Sequence, residues 1–169
     1  MRRLRRGPAV PDHVGSAVAG RLLATCRGAD GIWVACTRDA WWAVAPDGSA
    51  TSLPWERIHR ADWDQETATL RVEPVAEYGA PVQAHSFTLE EPGALLDVLR
   101  ERVTASVLVQ RRVDLAQRRG FTLIGRRPPS GAGEVTWAYE LDPGIDPDDP
   151  TVVAAAERAL GEARESLGL

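Results

Sequence analysis

Lysine is missing from this chain: all 20 basic residues are arginine. Because either cation solvates a surface, the bias reflects GC-rich codon usage and carries little functional weight. Cysteine is scarce, with Cys26 and Cys36 alone, which excludes a disulfide-dense secreted scaffold. His59 and His85 stand at no ligand spacing from a cysteine or from each other, and His13 lies near the start, so no metal site is expected. Long apolar runs are also missing. No stretch approaches the roughly 18 apolar residues of a spanning helix. The basic start Met1-Arg2-Arg3-Leu4-Arg5-Arg6 is followed by Pro8, Pro11, Asp12, His13 and Arg21, which interrupt any secretory apolar region. Leu23-Ala24-Thr25-Cys26 follows a lipoprotein cleavage box only loosely, since Thr25 stands where a smaller residue is usual. A soluble, cytoplasmic chain is expected. Gly-rich phosphate loops, a Gly-x-Ser-x-Gly elbow and a Cys/His nucleophile pair are all absent, so neither an enzyme nor a cofactor is expected.

What is present is a globular composition: 169 residues, 44% hydrophobic and 26% charged, enough for one domain of ordinary size with two subregions. The net charge of −4 conceals a partition. Residues 1–28 carry +5 and 100–127 carry +6, whereas 29–99 carry −8 and 140–169 carry −6. Basic and acidic segments can therefore neutralise one another within one fold, which weakens the case for a bare basic face that binds phosphates.

Residues 1–18 mix Arg, Pro and Gly without periodicity and are expected to form a flexible basic arm. Short β-like runs follow. Asp30-Gly31 separates residues 21–27 from 32–37, and Asp47-Gly48 separates 41–45 from 50–53, two hairpin signals. Pro54 marks a corner before the strand 58–63, in which Ala61 and Trp63 recur at period two. Residues 68–72 and 82–89 complete seven strands. A two-residue loop at Asp30-Gly31 would set Cys26 against Ala35 and Cys36 against Thr25, which places the thiols on opposite faces.

Pro92 suits the first turn of a helix, with Glu90 and Glu91 at the positive end of its dipole. Leu95, Leu99 and Val103, with Leu96 beside them, give that helix one apolar stripe ending near 103–104. It is expected to cap the seven-stranded sheet. Three further strands, 106–115, 120–127 and 134–141, read as an antiparallel meander. A last helix begins with Asp149 as N-cap and Pro150 at its first position, and Val153, Ala156, Leu160, Ala163 and Leu167 form its expected buried stripe. The fold class is thus α+β, mainly β: an antiparallel seven-stranded barrel or sandwich with a capping helix over 19–105, then a meander and C-terminal helix over 106–169 packed with it as one unit.

The Trp55-Glu56-Arg57-Ile58 corner, Asp62-Trp63-Asp64 followed by Thr69-Leu70-Arg71-Val72, and Phe87-Thr88-Leu89 leading into the helix resemble a bacterial pleckstrin-homology-like domain over residues 20–103. The whole chain is similar to uncharacterised actinobacterial proteins carrying Arg100-Glu101-Arg102-Val103-Thr104-Ala105-Ser106 and Asp146-Pro147-Asp148-Asp149-Pro150. The resemblance implies seven strands in two packed sheets with one capping helix. Lipid-binding relatives carry several basic residues in the loop between the first two strands. Here Arg27-Gly28-Ala29-Asp30-Gly31 has one Arg and one Asp, so that role does not transfer.

Two groups stand out as partner-binding candidates. Trp41 and Trp42 are adjacent on a strand and face opposite ways, so with Trp42 and Val44 toward the core, Trp41 would be an exposed anchor unless a second layer covers it. Arg111, Arg112, Arg118 and Arg119, with Arg126, Arg127 and Phe121, make the meander basic, the pattern of a sheet that binds single-stranded nucleic acid by stacking and phosphate contact. Asp62, Asp64 and Glu66 bracket a turn, and Asp142, Asp146, Asp148 and Asp149 precede a helix, placements that need no metal. The expected function is a non-catalytic protein-interaction or scaffold module. The alternative is a nucleic-acid-binding protein using the Arg-rich meander and the N-terminal arm.

Overall fold

The computed structural model describes residues 9–169, so Arg2, Arg3, Arg5 and Arg6 lie outside the described residues. The class is α+β and mainly β, with three antiparallel sheets and three helices. The first sheet runs in order β1 (Leu22–Arg27), β2 (Trp33–Thr37), β3 (Ala40–Val44) and β4 (Ala50–Pro54). The second comprises β5 (Ile58–Asp64), β6 (Thr69–Pro74) and β7 (His85–Thr88), and the third β8 (Val107–Asp114), β9 (Gly120–Arg126) and β10 (Thr136–Leu141), with β9 central. Helix α1 (Asp12–Ala17) precedes β1, α2 (Ala94–Ala105) separates the second and third sheets, and α3 (Pro150–Ser166) ends the chain.

The first seven strands do not close into a barrel. A 3₁₀ turn, Trp55–Arg57, breaks the ladder between β4 and β5, and the far ends meet only at the bridge between Gly28 and Leu89. Pro54 has no N–H to continue pairing. The buried Trp55 then anchors the bend, its indole N–H shared between the carbonyls of Thr37 (3.2 Å) and Arg38 (3.1 Å). The two sheets nevertheless share one core, in which Cys26, Val34, Cys36 and Trp41 meet Ile58, Leu70 and Val72 under Leu95 and Leu99 of α2. That helix starts at Ala94 with Gly93 as its N-cap, so Pro92 lies just before the helix rather than in its first turn, and runs to Ala105.

The first hairpin is one residue out of the expected register: Cys26 pairs with Val34 and Cys36 with Ala24. The Gly31 N–H closes a turn on the Gly28 carbonyl, and Gly31 itself adopts a positive φ of 76°. The loop is therefore three residues, a type I turn plus a left-handed residue, and not two. Pro46-Asp47-Gly48 repeats this arrangement, with Gly48 at φ 85°. The slip brings both thiols to the same inner face, the reverse of the sequence expectation, and both cysteines are free.

Two other expectations change. Residues 11–18 are not an unstructured arm: α1 buries Val14 and Val18 against Trp33, Ala35 and Val44 on the outer face of the first sheet. The buried stripe of α3 is Val152, Ala155, Ala156, Ala159 and Ala163, rotated from the expected one. Small alanines let the helix approach Phe121 and Leu123, while Leu160 stays half-buried at the margin. The helix start is as read, with the Asp149 carboxylate accepting from the Thr151 N–H (2.7 Å) ahead of Pro150.

Candidate functional site

A groove of about 280 Å³ runs between β5 and the second half of α2. Ala61, Trp63, Leu70, Leu96, Leu99 and Val103 form its apolar walls, and Arg60, Asp62 and Arg100 stand on its rim. Alternation along β5 sends Ala61 and Trp63 inward and leaves Arg60 and Asp62 exposed, joined by a salt bridge of 3.2 Å.

Among the described residues β6 is the one strand paired with β5, which makes β5 an edge strand. The Leu89 N–H donates to the Ala68 carbonyl, which assigns alternate residues of β6 to β7 and the intervening Thr69, Arg71 and Glu73 to β5. Their partners Asp64, Asp62 and Arg60 therefore point their backbone groups into the sheet. Ala61 and Trp63 point theirs out of it, along the groove.

At one end the groove meets a second cavity of about 210 Å³; His59 and Arg60 belong to both. Val107, Gln110, Ile124, Arg126 and Glu140 complete the second cavity, so it lies between β5 and the third sheet. His59 is the extra residue of a bulge between Ile58 and Arg60. The bulge turns its carbonyl outward, where it accepts from Arg126 Nη2 (2.8 Å). Arg126 is 4% exposed and also donates through Nη1 to the Val103 carbonyl (3.1 Å) and Ser106 Oγ (2.9 Å). Arg126 Nε and His59 Nδ1 are buried without a hydrogen-bond partner. Burial pushes the His59 imidazole below its ordinary value; nearby Glu140 and Glu73 oppose that, and Arg126 and Arg60 reinforce it.

A larger cavity, about 480 Å³, lies between β1 and the start of α2. It is a poorer strand-addition site, because Glu90 crosses the β1 edge and its N–H occupies the Arg27 carbonyl (3.1 Å). Cys26 on its wall is 3% exposed, and burial raises its thiol pKa. Burial pushes Cys36 up to about 12, so both thiols stay protonated and unreactive.

The residues singled out in the sequence fall in separate places. Trp41 is fully buried beneath Phe87, ring centroids 5.6 Å apart, because the second sheet is the layer that covers it. It is unavailable to a partner. Trp42 is half-buried on the opposite face, packed with α1 and Trp33. Arg111 is paired with Glu162 of α3 and Arg112 with Asp142 and Asp114, so acidic segments take up these charges. Arg118 and Arg119 are exposed around the β8–β9 turn, and Arg118 holds a positive φ of 61°. The two tryptophans and four arginines do not form one surface.

The acidic clusters are likewise occupied. Asp64 caps its turn by accepting from Glu66 and Thr67 N–H, and Asp146 accepts from the Asp148 N–H. Among the described residues no three His, Cys, Asp or Glu side chains gather as ligands, and no helix is long and apolar enough to cross a membrane. The sequence reading missed the groove, although its two sides were each visible as the Ala61/Trp63 alternation and the Leu95/Leu99/Val103 stripe. It counted Arg126 among surface arginines; strand periodicity gave no sign that a bulge at His59 would offer it a carbonyl. No protein-family model matches the chain, and no curated protein matches it.

Proposed function

We propose that the chain is a non-catalytic protein-interaction module, a PH-like pair of sheets capped by α2, which takes an extended segment of a partner protein as an added strand along β5. The observation that carries this reading is the unpaired edge at Ala61 and Trp63, with an apolar groove beside it. Outward backbone groups would supply the main-chain hydrogen bonds, and the spaces between Trp63, Leu99 and Val103 would receive alternate side chains. Nucleic-acid binding receives less support, since Arg111, Arg112 and Arg126 are already engaged within the chain.

The test is affinity purification with the natural chain beside Ala61→Pro. Proline removes the outward N–H and spares the ladder to β6. A stoichiometric protein partner retained by the natural chain and lost on Ala61→Pro is the expected result. Absence of any such partner, or one indifferent to the substitution, overturns the reading.

A further inference from the structure

Arg126 is a cation enclosed in the protein and, among the described residues, forms no ion pair. Burying an unpaired charge is expensive, so a guanidinium at 4% exposure ordinarily has a carboxylate partner. Here its partners are two backbone carbonyls and one hydroxyl. Glu140 is the one acid on the cavity wall; it is exposed and, among the described residues, forms no ion pair with Arg126. Of the five guanidinium hydrogens three are spent, which leaves the Nε–H and one on Nη2. Nε and Nη2 share one edge of the guanidinium, the edge that receives a carboxylate through two parallel hydrogen bonds, and on it the Nε–H is a donor left without a partner.

Strand direction supplies the rest. A segment added antiparallel to β5 begins beside Trp63 and finishes beside His59, where the groove opens into the cavity holding Arg126. Beyond His59 the free edge ends: its carbonyl is taken by Arg126, and Gln110 and Ile124 of the third sheet line the cavity there. An internal segment would have to turn away at that wall, whereas a chain end can stop there.

We propose that the groove receives the C-terminal end of a partner protein, with Arg126 binding its terminal carboxylate and Arg60 at the cavity mouth. This rests on the strand-addition reading above. Apolar side chains of the partner occupy the space against Trp63, Leu99 and Val103, and the terminal carboxylate provides the anion that Arg126 lacks.

The test selects short random peptides displayed with free C-termini on the full chain, in parallel with the same library displayed internally. Enriched sequences are synthesised as acids and as amides and followed by NMR. The acids are expected to perturb the Ala61 and Trp63 amides and the His59 imidazole. Amidation is expected to weaken binding about tenfold or more, the size of a lost charge-assisted pair. Arg126→Lys, which keeps the charge and loses the fork, is expected to narrow the acid–amide difference. Should that variant fail to fold, the acid–amide comparison on the natural chain still decides. Equal binding of acid and amide at Ala61 and Trp63 removes the carboxylate inference and leaves strand addition standing. Enrichment from the internal library alone does the same, and enrichment from neither library overturns the inference.

Discussion

Arg112 grips Asp142 through both ends of its guanidinium, so that the edge strand β8 holds the residue following β10 across the intervening β9. Asp142 Oδ2 also accepts the Gly120 N–H (2.8 Å). The hydrogen bonds from Arg112 first, and then that amide, hold the Asp142 carboxyl down to about 2 from its ordinary 3.8. A depressed folded-state pKa contributes stability that is complete above the unfolded value and is lost as the pH falls toward the folded one. Stability attributable to this pair should therefore decline between about pH 4 and pH 2. Asp142→Asn should flatten that limb, as chemical denaturation across the range would show.

Trp55→Phe should keep an aromatic ring in the corner while losing the indole's second ring and its hydrogen bonds. The Thr37 and Arg38 carbonyls would lose the indole donor they share. A destabilisation of about 1–3 kcal/mol is expected, measurable by urea denaturation. A change near zero would mean that the ring alone secures the bend.

Gly125→Ala should destabilise the meander. A β-carbon there would stand 2.7 Å from Val109 Cγ1 and 2.8 Å from Trp137 Cζ3, so Trp137 covers the glycine from the neighbouring strand. Overpacking of this kind costs about 1–3 kcal/mol. Trp137 fluorescence should shift along with the unfolding midpoint.

His59 should titrate below 6.5, observed through its imidazole NMR resonances. Desolvation is the leading cause, so the unfolded chain takes the proton more readily and acidification from 6.5 toward the folded midpoint removes stability. Glu140→Gln should lower the midpoint further, because Glu140 favours the charged ring; Arg126→Gln should raise it, because Arg126 opposes that charge.

The elements were legible wherever a local signal decides the backbone. Asp-Gly turns, Pro54, the Leu95/Leu99 stripe and the Asp149-Pro150 helix start each act within a few residues, and each lies where it was read. What failed depended on one residue's handedness or on distant partners. Gly31 in a left-handed conformation added a residue to the first loop and moved both thiols to one face. Whether Trp41 is exposed stayed open in the sequence, because alternation assigns it a face without saying which layer lies over that face; the second sheet does. The site was least legible, since its cation and its groove come from β9, β5 and α2, which adjoin only in three dimensions.

Residue 106, where the chain leaves α2 for the meander, looks like a natural place to divide it into modules. One guanidinium spans that point. Arg126 reaches back from the later portion to acceptors on His59, Val103 and Ser106, and Tyr78 reaches forward to the Pro147 carbonyl (3.0 Å). Each portion therefore completes the hydrogen bonding of the other, and a fragment of either one would leave these groups without their partners.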